Sequence, residues 1–314
     1  MSAGSNQQPS MTLEALFTRR LLIVTGKGGT GKTVLSAALA RLAAKRGKRV
    51  VACEVGRDPG VPCPLLGLLA PERRATLEPQ DLGGGVSHAL LRGEDGVREF
   101  LGEALPFRFM ADRALKVDAV RRFIDAAPAF SEMGLLYRGM RLLDAKRRDG
   151  KPVHDVMILD APASGHTLAF AALPDTIVKV FTAGPIAKAA KAGIAMLRDT
   201  SVTTSVVATL PEALPVSEAL ELEAGLRARS LHVGAIVANQ VPRDPFSLHE
   251  REALERALPH EVLGRRELAR ISRAAVALER LDALAVPVLR VNTSTARGRA
   301  LVDEACLNLD EALA

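Results

Sequence analysis

Tryptophan is absent from the 314-residue chain and tyrosine occurs once, so with nine phenylalanines the aromatics reach only 3%. Ala, Leu and Val therefore have to fill the core. Side chains of that size suit helices packed on a parallel sheet better than a sandwich of two sheets. Cysteine is scarce too. Cys53, Cys63 and Cys306 form no CxxC pair, no zinc spacing and no disulfide framework. Such an odd count fits a reducing compartment, and Cys53, inside an apolar run, reads as a buried thiol. No apolar run approaches the ~18 residues of a membrane span. The polar start, MSAGSNQQPSM, has no apolar signal region. These absences predict a cytoplasmic protein without a transmembrane segment, with residues 1–18 as a flexible tail.

Charge of one sign is not concentrated either. Lys and Arg number 42 against 36 Asp and Glu, a net +6, but the basic doublets are scattered and interleaved with acids. A nucleic-acid stripe gathers its cations and places aromatics between them. No nucleic-acid partner is expected, and the excess reads as solubility, with weak attraction to an anionic surface or acidic partner left open.

What is present is an alternation. Leu21–Thr25 is a short apolar run ending in glycines, Val34–Arg46 is Ala/Leu-rich and helical in pattern, and Val50–Val55 is apolar again. Strand, glycine loop, helix, strand is a βαβ unit and implies a parallel sheet. Val86–Leu91, Val156–Asp160, Ile177–Thr182, Thr204–Thr209, Val233–Asn239 and Val286–Val291 read as further strands. Helical patterns lie between them, notably Ser217–Ala228 and Glu250–Leu258. The fold class is α/β: a doubly wound, mostly parallel sheet of the P-loop NTPase type. One such domain covers 19–314. A helical insertion at about 96–149 carries six of the ten aromatics.

Gly26-Lys27-Gly28-Gly29-Thr30-Gly31-Lys32-Thr33 satisfies GxxxxGK[ST], after a strand and opening a helix. The glycines let successive backbone N–H groups turn toward one point, and the helix aims its positive end there. The phosphate-binding set is Gly28, Gly29, Thr30, Gly31, Lys32, Thr33 and Val34. Lys32 meets the β/γ oxygens of ATP or ADP, and the Thr33 hydroxyl is a direct Mg²⁺ ligand. Asp160 closes a buried strand. Lys27 is a second lysine, five residues before Lys32. It is either a solvated surface group or a charge that reaches a phosphate in a facing subunit.

KGGTGKT resembles the deviant Walker A form of the MinD/ParA superclass of dimerising ATPases. Asp160-Ala161-Pro162-Ala163-Ser164-Gly165-His166-Thr167-Leu168 narrows the resemblance to the ArsA-like ATPases. That family includes the arsenite-pump ATPase and the ATPase that delivers tail-anchored membrane proteins. Leu210–Ala219 and Ala235–Gln240 resemble two further family segments in the same order. The resemblance implies ATP hydrolysis in a homodimer or with a paired paralogue, with Lys27 catalytic across the interface. It makes Asp160 a carboxylate that holds Mg²⁺ through water, unless it only caps its strand, and Ala161–His166 a switch, with His166 either sensing the γ-phosphate or holding a hinge. It makes Asn239 an adenine ligand, unless that residue only turns the chain.

The family's water-orienting Asp lies in a DPA(H/S) segment. Here the stretch is Glu54-Val55-Gly56-Arg57-Asp58-Pro59-Gly60. Asp58 keeps the Asp-Pro pair and is the favoured catalytic carboxylate. Glu54 is the alternative, as a structural or Mg²⁺-facing group. The CxxC of the tail-anchor ATPase is missing, and so is a cysteine trio for arsenite. The expected function is a dimeric ATP switch that handles a protein client, which a membrane protein would fit; in relatives a helical subdomain forms the client groove, and here the insertion at 96–149 serves so or packs on itself. The alternatives are an anion-pump subunit and a MinD/ParA-like positioning ATPase.

Overall fold

A computed structural model describes residues 13–56, 61–104, 128–162, 172, 175–179, 182–257 and 263–312. Its elements run α1 (Leu13–Phe17), β1 (Leu21–Gly26), α2 (Lys32–Lys45), β2 (Val50–Val55), α3 (Pro64–Leu69), β3 (Gln80–Asp81) and β4 (Val86–Leu91). Two helices follow, α4 (Gly93–Ala104) and α5 (Pro128–Asp144), then β5 (Val156–Asp160), α6 (Gly184–Arg198) and β6 (Thr203–Thr209). The chain continues through α7 (Ala213–Arg227), β7 (Val233–Val241), α8 (Leu248–Ala257), α9 (Leu263–Asp282), β8 (Val288–Asn292) and α10 (Gly298–Ala312).

The strands form one sheet in the order β3-β4-β2-β5-β1-β6-β7-β8. Every pairing is parallel except β3 with β4. Successive strand residues point to opposite faces, so a strand covered on both sides has to be apolar at every position. In β1, Leu22 and Val24 join the core with α1, α2, α3 and α10. Leu21 and Ile23 join the core on the other face, with α5, α6, α7 and α9. The molecule is thus a doubly wound α/β sandwich with β1 near its centre.

α2 buries Leu35, Leu39 and Leu42 at helical spacing and ends where Gly47 takes φ 76°. That left-handed glycine stops the helix and turns the chain toward β2.

The structure corrects two expectations. The stretch 1–18 is not a tail throughout. Leu13–Phe17 is helical, with Leu16 1% and Phe17 2% exposed against the α2 face of the sheet, because two large apolar side chains there have a core to enter. Ile177–Thr182 is not a strand in its described part, since 175–179 is helical. Ile177 packs against Ala190 of α6, and the place beside β1 belongs to β6. Context decides such β-branched runs. The insertion begins directly after β4, at Gly93, and closes with a bridged turn, Lys146 to Pro152. No helix among the described residues is long and apolar enough to cross a membrane.

Candidate functional site

The loop between β1 and α2 lies at the carboxyl ends of the parallel strands, where open α/β sheets bind ligands. Its backbone needs glycine at two places. At Gly26 a Cβ would stand 2.2 Å from the Ala208 carbonyl oxygen, so β1 and β6 approach only without a side chain. Gly31, at φ 84°, precedes α2, and a Cβ there would stand 2.1 Å from Asn239 Nδ2.

Three hydrogen bonds hold the loop's shape. Thr30 Oγ1 and Lys32 Nζ both donate to the Lys27 carbonyl, at 2.9 Å each. Asn239 Nδ2 donates to the Thr30 carbonyl at 3.0 Å. Asn239 comes from the end of β7, where the register with β8 shifts between Ala238 and Val241 and Gln240 adopts φ 58°. Bulges beside active sites commonly re-aim a side chain. In this structure Asn239 is buried and staples the loop from below. Beside Gly28 and Gly29 a Cβ would meet nothing within 4 Å, so the mouth of the loop opens outward. Val34 packs against the core under the loop.

Asp160 ends β5 beside this mouth. Thr33 Oγ1 donates to its Oδ2 at 2.8 Å and Ser36 Oγ to its Oδ1 at 3.1 Å. Burial pushes the Asp160 carboxyl above its ordinary range, against the pull of those hydroxyls and of Lys32. Burial likewise lowers the Lys32 ammonium, which Asp160 partly restores. Thr33, Asp160 and Lys32 are therefore brought together in one place. Ser36 is an addition. It stands three residues after Thr33, one helical turn along the same face, and that spacing was its signal. A carboxylate lined by hydroxyls suits a hard cation with oxygen ligands. The site thus fits Mg²⁺, which Thr33 and Asp160 would hold. Among the described residues no separate metal cluster of His, Cys, Asp and Glu occurs.

Glu54 is 5% exposed and fully engaged. Leu65 and Leu66 N–H donate to its two oxygens at 3.1 and 3.2 Å, and His88 Nε2 lies 2.8 Å from Oε1. It pairs in register with Asp160 across β2 and β5. Its carboxylate faces the first turn of α3 and His88, which is the structural one of the two roles open to it. Asp58 and His166 lie outside the described residues.

Lys27 extends from the loop with its side chain 54% exposed and its Nζ 2.7 Å from Glu218 Oε1 of α7. Arg280 of α9 braces the same helix, donating to Ser217 Oγ at 3.0 Å. The three thiols are held protonated. Burial pushes Cys53 up to about 12, and Cys63 and Cys306 up to about 11.

A glycine loop stapled at the end of β1, with an acid and two hydroxyls beside it, defines a P-loop nucleotide-binding protein. Residues 21–282 match the CobQ/CobB/MinD/ParA nucleotide binding domain, and the chain belongs to that family. Its curated relatives include the ATPase BagA of Mycobacterium tuberculosis and Mb3704 of Mycobacterium bovis, the latter provisionally named an ATPase. Each is 28% identical over 221 residues, which is 70% of this chain and 65% of the relative. The match thus spans somewhat less than two thirds of those relatives' length.

Proposed function

We propose that the protein hydrolyses Mg·ATP as a dimeric switch of the ArsA-like type, in which Lys27 of each subunit completes the other's site. The observation that carries this is the placement of Lys27. Lys32 is already drawn over its own loop, while Lys27 leaves the loop outward and is half exposed. The segments that follow β2, β6 and β7, at the same end of the parallel sheet as the loop, expose Val61, Leu214 and Phe246 at 57%, 68% and 39%. Exposed apolar groups at the end of the sheet that carries an outward cation suit a facing subunit.

In this reading the loop N–H groups and Lys32 bind the phosphates, and Thr33 and Asp160 hold Mg²⁺. The cation neutralises charge on the transferring phosphoryl group. Asp58 orients the attacking water, and Glu54 fixes the start of α3 rather than touching substrate. A cation supplied from a partner subunit raises phosphoryl transfer roughly 10³–10⁵-fold where an arginine does it. Asn239 remains the proposed adenine contact through the remaining capacity of its amide.

The output proposed is handling of a protein client by the helical pair α4–α5. A positioning ATPase is the second reading, favoured by the matched family, whose description names MinD and ParA. The anion-pump reading loses support from the three protonated thiols, two of them buried.

The test is ATP turnover per subunit against protein concentration, for the parent, Lys27→Ala and a mixture. Turnover rising with concentration and falling by at least about 100-fold in the variant supports catalysis across the interface. A concentration-independent rate that Lys27→Ala leaves unchanged overturns it. An ATP-dependent, salt-sensitive gel shift with DNA marks the positioning reading instead.

A further inference from the structure

A pocket lies at the far end of α2, roughly 17 Å along that helix from Thr33. Its volume is about 320 Å³, at the small end of the range of small-molecule pockets. The lining divides into two kinds. Leu69 of α3 with Leu82 and Val86 around the β3–β4 turn give an aliphatic wall. Arg41 and Lys45 of α2 and Arg299 in the first turn of α10 supply three cations. Between them the turn presents Gly83 and Gly84, where a Cβ would meet nothing within 4 Å.

The local charges do not cancel. Arg41 Nη1 lies 2.5 Å from Asp303 Oδ1, yet it is buried without a directed hydrogen bond. Its neighbour Arg46 pairs with Asp310. Asp81, beside the glycine turn, accepts the Gly83 N–H at 2.8 Å. Lys45 and Arg299 have no ion-pair partner among the described residues. Two uncompensated cations beside an aliphatic wall, with a floor of bare backbone, make an amphipathic lining of positive sign.

We propose that this pocket binds a small amphipathic anion, its acidic head between Lys45 and Arg299 and its aliphatic body against Leu69, Leu82 and Val86. The class includes free medium-chain carboxylates and the acidic end of a membrane lipid. The pocket's small volume favours the free molecule. The site is separate from the phosphate loop but shares α2 with Thr33 and Ser36.

The test is calorimetric titration of the full chain with decanoate, in saturating Mg·ADP so that the phosphate loop is filled. One decanoate per chain is expected, with binding weakened by salt. The Lys45→Gln/Arg299→Gln double variant loses about fivefold to tenfold in affinity, as two exposed charge contacts imply. Leu82→Gln weakens binding as well, while acetate and decyltrimethylammonium do not bind. Equal affinity in the double variant, or equal binding of the decyl cation, overturns the assignment. Capture by phosphatidylglycerol vesicles without binding of monomeric decanoate overturns the free-molecule assignment in favour of a lipid surface.

Discussion

Asp160 is asked to be ionised where burial resists ionisation. Its folded value lies above the ordinary carboxylate value, so the fold penalises the charged form. That cost is present above the raised value and is relieved as pH falls through it. Asp160→Asn is therefore expected to melt higher than the parent at neutral pH, with the gap narrowing on acidification. ATP turnover falls at least about 100-fold in the same variant, because the cation that neutralises the transferring phosphoryl group is held less well. Thermal melts from pH 4 to 8 beside turnover measurements check both, and a lower melting point at neutral pH contradicts the account. Replacing Glu54 acts on stability in the other direction, through lost hydrogen bonds. Its carboxylate satisfies two backbone N–H groups and His88, so Glu54→Gln strands a buried amide among donors and costs about 2 kcal/mol of stability. Urea denaturation reads that loss. Turnover per folded molecule falls far less than in Asp58→Asn, whereas an equal fall makes Glu54 the water-orienting group.

Elements were legible where local sequence and burial agree. Val50–Val55, Val86–Leu91 and Val156–Asp160 are strands over the whole range their apolar runs define. The phosphate loop was legible because its chemistry is written in eight consecutive residues. α7 begins four residues before the Ser217 start that the pattern gave, since Pro215 falls in the first turn, where no helical N–H is required. α9 carries Leu268, Ile271, Ala274, Leu278 and Leu281 on its buried face, a helical stripe diluted by arginines. The contacts of Glu54 with His88 and of Lys27 with Glu218 were not legible, since each depends on which elements become neighbours. The pairing of α4 with α5 belongs to the same class. A Cβ on Gly134 would stand 2.0 Å from the Gly93 carbonyl oxygen. Gly134→Ala is expected to force the two helices apart at a cost of about 2 kcal/mol, read as a lowered denaturation midpoint. An unchanged midpoint shows that the helices separate freely.

At the scale of the molecule, the Lys27–Glu218 pair is a surface contact between side chains 54% and 24% exposed. Such pairs contribute about 0–1 kcal/mol, so Glu218→Gln leaves the melting point near the parent's. If Lys27 serves a facing subunit, the same change releases it, and half-maximal turnover is reached at lower protein concentration. An unshifted concentration profile counts against that service. The sheet's two borders narrow how such subunits meet. At one border β3 offers only Gln80 and Asp81, and at the other β8 is five residues long with Arg290 exposed midway. A two-residue ribbon and a charged outermost strand make poor templates for a neighbour's backbone. Copies of this chain are thereby steered away from joining into a continuous sheet, which leaves the loops that crown it as the face the proposed dimer would use.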